Sequence, residues 1–353
     1  MTLFCRNHQN PSSNDMAATL RYKAEDYTIG WICALTTELT AARSMLDELH
    51  DNGRQLPQDA SDKNNYVRGQ IHGHNIVIAR SSAGTTSAAV AAIHMLHTYP
   101  NIRFGLLVGI AGGVPRGDEH DIRLGDIVIG MPTKHHGGVV QVDFGTQIGE
   151  GVDGFKITGQ LDKPPRELVN AVEMLRSNHD FDRPNLQDYI SPTTLKKKHP
   201  QLVKQYCYST ELKDNLFEAT YPHQDEEDKI CAKCDEKRVE KRAKRLTLDD
   251  NIDTSPRLHY GNIASANRVM RYAKARDDIA KAQGILCFEE EAAGLADDFK
   301  CIVVRGICDY ADSHKNKKWQ NYAALVAAAY AKELLSVIPE TLVKGMAAIK
   351  SSE

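Results

Sequence analysis

Phe104-Gly-Leu-Leu-Val-Gly-Ile-Ala-Gly-Gly113 is the stretch that decides the architecture. Residues 104 to 110 are apolar on both faces of an extended chain, as in a strand covered on both sides. An Ala-rich segment with helical spacing, Ser87 to His97, leads into it, and the glycines that follow allow backbone to come close to a ligand. Working outward, Tyr27 to Leu35 reads as a second buried strand, and Glu38 to Leu49 as a helix with Thr36 or Thr37 as N-cap. Asn65 to Ile71 and Asn75 to Arg80 form a hairpin around His72-Gly73-His74. Asp126 to Met131, Gly261 to Ala266, Gly284 to Phe288 and Cys301 to Cys308 add further strands, and Tyr322 to Ile338 a long Ala-rich helix. Buried strands alternating with such helices predict an α/β protein, a three-layer α/β/α sandwich with a central mixed sheet.

The whole chain has 353 residues, 41% apolar and 26% charged, enough to bury a large single core. Residues 1–25 are polar and aperiodic and predict a mobile arm, residues 26–340 the core, and 341–353 a tail. Residues 160–258 break the strand-helix alternation with prolines and a dense charge run, and read as an insertion. Its basic residues from Lys237 to Arg245 are interleaved with acids and suggest an exposed helix. A net charge of −3 excludes a broad cationic field for nucleic acid. No apolar run is long enough for a membrane span or a signal peptide, so the cytoplasm is the expected location. Of the eight cysteines, Cys33, Cys287, Cys301 and Cys308 lie in apolar runs and read as reduced core residues.

Three acidic positions stand where core strands end, the place where open α/β sheets collect ligands: Glu38, the run Glu289-Glu290-Glu291, and Asp309. Taken singly, each could be a cap or a solvated turn. Gly109 to Gly113 lacks the Lys-Ser or Lys-Thr of a phosphate-binding loop. In the irregular segment, Cys231-Ala-Lys-Cys234 with His223 offers three metal ligands where structural zinc takes four. A further partner such as Cys207 would be needed, and the alternative is a surface loop with two thiols and no metal.

The segments Tyr27-Thr-Ile-Gly-Trp-Ile-Cys-Ala-Leu-Thr-Thr-Glu38, Val108-Gly-Ile-Ala-Gly-Gly-Val114, Ile122-Arg-Leu-Gly-Asp-Ile-Val128, Phe288-Glu-Glu-Glu-Ala-Ala-Gly294 and Arg305-Gly-Ile-Cys-Asp-Tyr-Ala-Asp312 together resemble the nucleoside phosphorylase and nucleosidase superfamily. That superfamily includes methylthioadenosine/S-adenosylhomocysteine nucleosidase, and the resemblance is strongest to fungal members fused to immune-receptor-like proteins. It implies a nucleoside phosphorylase-like fold that works without a cofactor on a small purine nucleoside or nucleotide, often as a homodimer. In such an enzyme Asp309 would match the acid that protonates purine N7, Glu291 the carboxylate that grips the ribose hydroxyls, and Glu38 the group that activates water. Ser81 would match a polar residue that helps Glu38 with the water, Gly84 and Ile110 would bind substrate, and Gly109 would let backbone approach the sugar. Ala266, Asn267, Val269, Met270 and Phe288, with Glu289 and Glu290, would complete the substrate pocket.

The resemblance also supports a choice of nucleophile. Where hexameric phosphorylases of the superfamily place an arginine and a serine, this chain has Leu107 and Ile110, and greasy side chains do not hold phosphate. A purine N-ribosyl hydrolase is therefore expected, releasing an adenine-type base, with ATP or AMP among the candidate substrates. The alternatives are a phosphate-dependent phosphorylase and a catalytically silent nucleotide-sensing module. A nucleotide substrate would call for cations near the 5′ end, with His135, His136, Lys315, Lys317 and Lys318 as candidates. Glu290 departs from the family, which usually has methionine between the two glutamates. It either turns to a basic neighbour, alters sugar recognition, or abolishes activity. With no repeat or ATPase segment after the core, a free-standing enzyme is the expectation.

Overall fold

The computed structural model describes residues 21–115, 120–149, 155–225, 231–247 and 249–349. In chain order its strands are β1 (Ile29–Cys33), β2 (Glu48–Leu49), β3 (Tyr66–Ile71), β4 (His74–Arg80), β5 (Phe104–Gly113), β6 (Ile127–Gly130), β7 (Val139–Gln141), β8 (Gly145–Gln147), β9 (Phe155–Ile157), β10 (Leu258–Ser265), β11 (Ile285–Glu289) and β12 (Cys301–Asp309). The helices are α1 (Thr36–Ser44), α2 (Thr85–Thr98), α3 (Arg166–Phe181), α4 (Leu186–Tyr189), α5 (Pro192–Lys198), α6 (Val203–Tyr206), α7 (Ala273–Gln283), α8 (Gln320–Ser336) and α9 (Glu340–Gly345).

The main sheet runs β11-β10-β6-β12-β5-β1-β4-β3-β2 and is mixed, as predicted. β1 pairs in parallel with β4 and β5, and β5 in parallel with β12, whereas β12 meets β6 antiparallel. One further pairing shapes the site. β11 joins β10 on one side and, through Cys287↔Gly113 and Phe288↔Gly112, also bonds antiparallel to the end of β5. This returns the chain after β11 to the end of the central strand.

Alternation along the central strands distributes the core between two faces. Ile29, Trp31, Leu106 and Val108 pack with Ala41, Leu325 and Ala328 of α1 and α8. Ile32, Val77 and Leu107 point the other way, onto Ala88, Ala92 and Met95 of α2. Fourteen residues of α8 are buried, Tyr322 to Leu335, because small alanines let the helix lie directly on the sheet.

Several boundaries differ from the expectation. α1 starts at Thr36, with Leu35 at the cap position, and neither Thr36 nor Thr37 caps it: the Glu38 side chain accepts from the Ala34 and Leu35 amides instead. Its end comes early, at Ser44, and Glu48–Leu49 pairs with β3 as a short strand. Residues 1–20 of the expected arm lie outside the described residues, but Tyr22 already stacks on His50 at 3.8 Å. At the other end Val343 and Ile349 are buried, so the described part of the expected tail packs on the core. Residues 160–258 are not set apart either. Leu168, Val172, Leu175, Leu186, Leu195 and Tyr206 join the main apolar cluster, as amphipathic helices do when they cover a sheet-packing helix. The basic run is no exposed helix: beyond a single turn at Glu236–Arg238 it is irregular, and Arg242 and Arg245 fold inward onto acids.

Candidate active site

Glu38 lies in the first turn of α1 and bends back toward the sheet. Its Oε2 accepts from Ala34 N at 2.8 Å and Leu35 N at 2.9 Å, and its Oε1 from Ile110 N of β5 at 2.8 Å. Three backbone donors hold one carboxylate where helix and strand meet. A Cβ on neighbouring Gly109 would stand 2.3 Å from Arg305 Nη1 and 2.4 Å from Glu38 Oε1, so only glycine admits both groups.

Arg305 is fully buried in β12, opposite Gly109. Its Nη2 donates to Glu289 and, at 3.1 Å, to Glu291 Oε2. Burial works against the guanidinium charge, but Glu289, Glu291 and Glu38 more than offset it and raise its pKa. Three carboxylates thus share one cation. Glu289 is otherwise occupied by the Glu291 and Ala292 amides, which makes it a brace for the turn after β11. The other oxygen of Glu291, Oε1, accepts from Gly84 N at 3.4 Å. Burial pushes its carboxyl up to about 7, against Arg305 and with help from Glu289 and Glu38.

Asp309 ends β12 at a register shift in which Cys308 is skipped and Asp309 faces Gly112. Such a bulge re-aims a side chain. A Cβ on Gly112 would lie 2.7 Å from Asp309 Oδ1, so this acid too is set against bare β5 backbone. Oδ1 accepts from Ala311 N at 2.9 Å, Ala311 itself having a φ of 52°, which a residue with a Cβ rarely adopts. Oδ2 lies 3.3 Å from Lys315 Nζ. Burial lowers the pKa of Lys315, but Asp309, with Cys308 and Glu290, raises it further. Ile110, which anchors Glu38, and Gly112, which faces Asp309, are two residues apart on one strand, roughly 7 Å.

The other expected positions divide. Gly84, Gly109 and Ile110 border Glu38 and Glu291. Ser81 lies at the end of β4, its hydroxyl 3.4 Å from the Cys33 carbonyl. Met270, Phe288, Glu289 and Glu290 line a cleft with Gly112, Arg268, Ala311 and Lys315, closed down to about 10 Å³. Ala266 is buried behind Phe288 in a small apolar cluster. Asn267 faces another task, because its Oδ1 accepts from Thr85 N and Oγ1 at the start of α2. Val269 is 48% exposed and is not among the residues lining the cleft. Glu290 is half-buried and its pKa is raised by burial, with Lys315 opposing. Lys315, read from sequence as a candidate for a 5′ phosphate, faces Asp309 instead, while Lys317 and Lys318 are exposed.

Sequence reasoning gave Arg305 no role, although an arginine between Val304 and Gly306 in an apolar strand must find buried carboxylates. A cavity of about 720 Å³ lies elsewhere, between α7 and the β8-β9 hairpin, and holds none of the three acids. His223, Cys231 and Cys234 have ligand atoms within 4.8 Å of one another. Cys207 is remote from them in character, buried in the main core with Sγ 3.7 Å from the Ile190 carbonyl.

Residues 28–341 match the profile of the phosphorylase superfamily. The chain belongs to that superfamily. A nucleotide-binding leucine-rich repeat (NLR)-like protein of Hyaloscypha variabilis is 43% identical over 320 residues, covering 90% of this chain and 30% of the relative. A 5′-methylthioadenosine/S-adenosylhomocysteine nucleosidase of Bacillus thuringiensis is 30% identical over 71 residues, 20% of this chain and 29% of that one. The chain therefore spans about a third of the length of these relatives. Among solved structures, the same kind of nucleosidase from Neisseria meningitidis, in complex with methylthio-immucillin-A, aligns with a TM-score of 0.54 and 16% identity, over 88% of this chain and 98% of that one. Futalosine hydrolase of Helicobacter pylori aligns at 0.53 and 15%, over 88% and 97%. This superfamily chain thus has the nucleoside phosphorylase-like α/β fold, and no helix among its described residues is long and apolar enough to cross a membrane.

Proposed function

We propose that this protein hydrolyses the N-glycosidic bond of a purine nucleoside or nucleotide, with Asp309, Glu291 and Glu38 as its three working groups. The supporting observation is that Glu38 and Asp309 are both held against the end of β5, two residues apart, with Glu291 brought to the same place by Arg305. In this reading Asp309 delivers a proton to N7 as the bond from C1′ to N9 breaks and its electron pair goes to the base. Glu291 accepts hydrogen bonds from the ribose hydroxyls and stabilises the positive charge that develops on the sugar. Glu38 takes a proton from the water whose oxygen bonds to C1′. One water is consumed, and a free base and a free sugar are formed.

Water is favoured over phosphate by the charge around C1′. Glu38, Glu289 and Glu291 surround Arg305, whose Nη2 is already shared between two of them. A phosphate dianion there would meet net repulsion. The nearly closed cleft between Met270, Phe288 and Lys315 implies that the loop after β10 moves outward to admit a base.

We also infer a homodimer, because Phe144, Ile148, Val269 and Tyr272 leave large apolar side chains exposed in the region around β8 and the loop after β10. Light scattering should give twice the monomer mass, and a monomer at micromolar concentration would remove that inference. The catalytic reading is tested by incubating the protein with purine nucleosides and their 5′-phosphates, with and without inorganic phosphate, and separating the products. Free base and free sugar without phosphate are expected. Ribose 1-phosphate formed only with phosphate would make it a phosphorylase, and nucleotide binding without base release would make it a sensing module.

A further inference from the structure

The irregular segment between α6 and β10 is tied to the chain just downstream of Asp309. Phe217 stacks on His314 with ring centres 4.0 Å apart, His223 N donates to Ser313 Oγ at 2.9 Å, and Cys231 Sγ lies 3.6 Å from the His314 carbonyl. Within this contact His223, Cys231 and Cys234 bring one ring nitrogen and two sulfurs within 4.8 Å of one another. The turn from Cys231 to Cys234, closed by Cys234 N on Cys231 O at 3.3 Å, sets the two thiols close together.

A second observation comes from the neighbouring element. His314 is 6% exposed, and its Nε2 is buried without a hydrogen-bond partner among the described residues. Its ring lies 5.5 Å from that of His223, edge to face. An unpartnered imidazole nitrogen in the interior is costly unless something binds it. We propose that Cys231, Cys234, His223 and His314 form a tetrahedral zinc site that fastens the 214–240 segment to the chain leaving β12.

The donor set suits the ion. Two thiolates and two neutral imidazoles give Cys2His2, a closed structural arrangement, and they leave no net charge on the filled site. Ligands of such a site stand roughly 3.3–3.8 Å apart, so the three donors need to contract by about 1 Å, and the His314 ring, which lies outside their 4.8 Å group, has to swing further toward them. His314 Nδ1 is 3.8 Å from Asp312 Oδ1, placing a carboxylate behind the imidazole, the usual support for a ligating histidine. His314 precedes Lys315, whose Nζ is 3.3 Å from Asp309, so the ion would also fix the cation next to that acid.

The test uses the full chain purified without chelator. Elemental analysis after gel filtration should find about one zinc per chain, and Cys234→Ser should lose it. Cobalt replacing zinc in the unaltered protein should give the near-ultraviolet thiolate charge-transfer band and the visible bands of a tetrahedral ion, a readout that needs no variant to fold. His314→Ala should weaken zinc at least tenfold in competition with a chromophoric chelator; unchanged affinity would overturn the fourth-ligand assignment. The site as a whole is overturned if no metal is retained and added zinc leaves the thiols open to alkylation. A mass two daltons low, locating a Cys231–Cys234 disulfide in metal-free protein, would overturn it equally.

Discussion

The two acids flanking the proposed reaction centre are held by different means. Glu38 is fixed by three backbone amides, two from its own strand-helix junction and one from β5, and it neighbours an arginine that braces two further glutamates. Asp309 stands on a bulge and is followed by Ala311 in a left-handed conformation. The chain beyond it is secured by side chains from far away: Tyr310 bonds to Asp214 and Arg242, and His314 stacks on Phe217. The first end is part of the sheet. The second is held by a clamp, and a clamp can be loosened without dissolving the core.

The sharpest break in this comparison is chemical. Asp309→Asn should reduce base release by a factor of about 10² to 10⁴, the usual contribution of a positioned acid, with the far-ultraviolet dichroism unchanged. Undiminished turnover would exclude Asp309 as the acid. Next in size is the braced end: Arg305→Met leaves Glu289 and Glu291 buried without their cation and should cost about 3–5 kcal/mol in urea unfolding. Cutting the clamp with Arg242→Met should cost less than cutting the brace. Arg242 is still partly reached by solvent, and it should act on turnover more than on the unfolding midpoint.

A smaller effect comes from Glu291. Its carboxyl is raised from about 4.5 to about 7 by burial, so the folded protein holds a proton that the unfolded chain gives up near pH 4.5. The contribution of Glu291 to stability should therefore be greatest below that pH, decline by about 3 kcal/mol as pH rises through 7, and level off above it. Glu291→Gln should flatten that decline; an unchanged pH profile of the unfolding midpoint would count against it. Smallest of all, Glu290→Met should keep turnover within about threefold. It should also move the alkaline limb of kcat/KM to slightly lower pH, because Lys315 would keep Asp309, the larger upward influence on it, and lose the smaller one of Glu290.

The same division governs what could be read in the sequence. Strands such as Phe104–Gly113 announce themselves by unbroken apolarity, and Glu38 and Asp309 by standing where that apolarity stops. The mixed sheet and the superfamily followed. Local spacing gave no sign that the Glu38 side chain would displace a threonine as the cap of α1, since that depends on Ile110 arriving beside it. Nor could charge density reveal that Arg242 and Arg245 turn inward. Arg245 finds Asp121 and Asp126 about 120 positions away in the chain and Arg242 finds Asp214, 28 positions away, and a basic run looks the same before and after it finds such acids. Arg305 was the available signal that went unused: a lone charge inside a buried strand implies acids around it.

The double pairing of β11 has a mechanical consequence. Five strands, β5, β12, β6, β10 and β11, are stitched edge to edge into a hoop, so the carboxylates mounted on its rim cannot spread apart to let a substrate in. Entry and exit have to occur through whatever overhangs the hoop, the stretches after β10 and β12. In the proposed reaction, passage of substrate and product would then depend on those two flaps lifting.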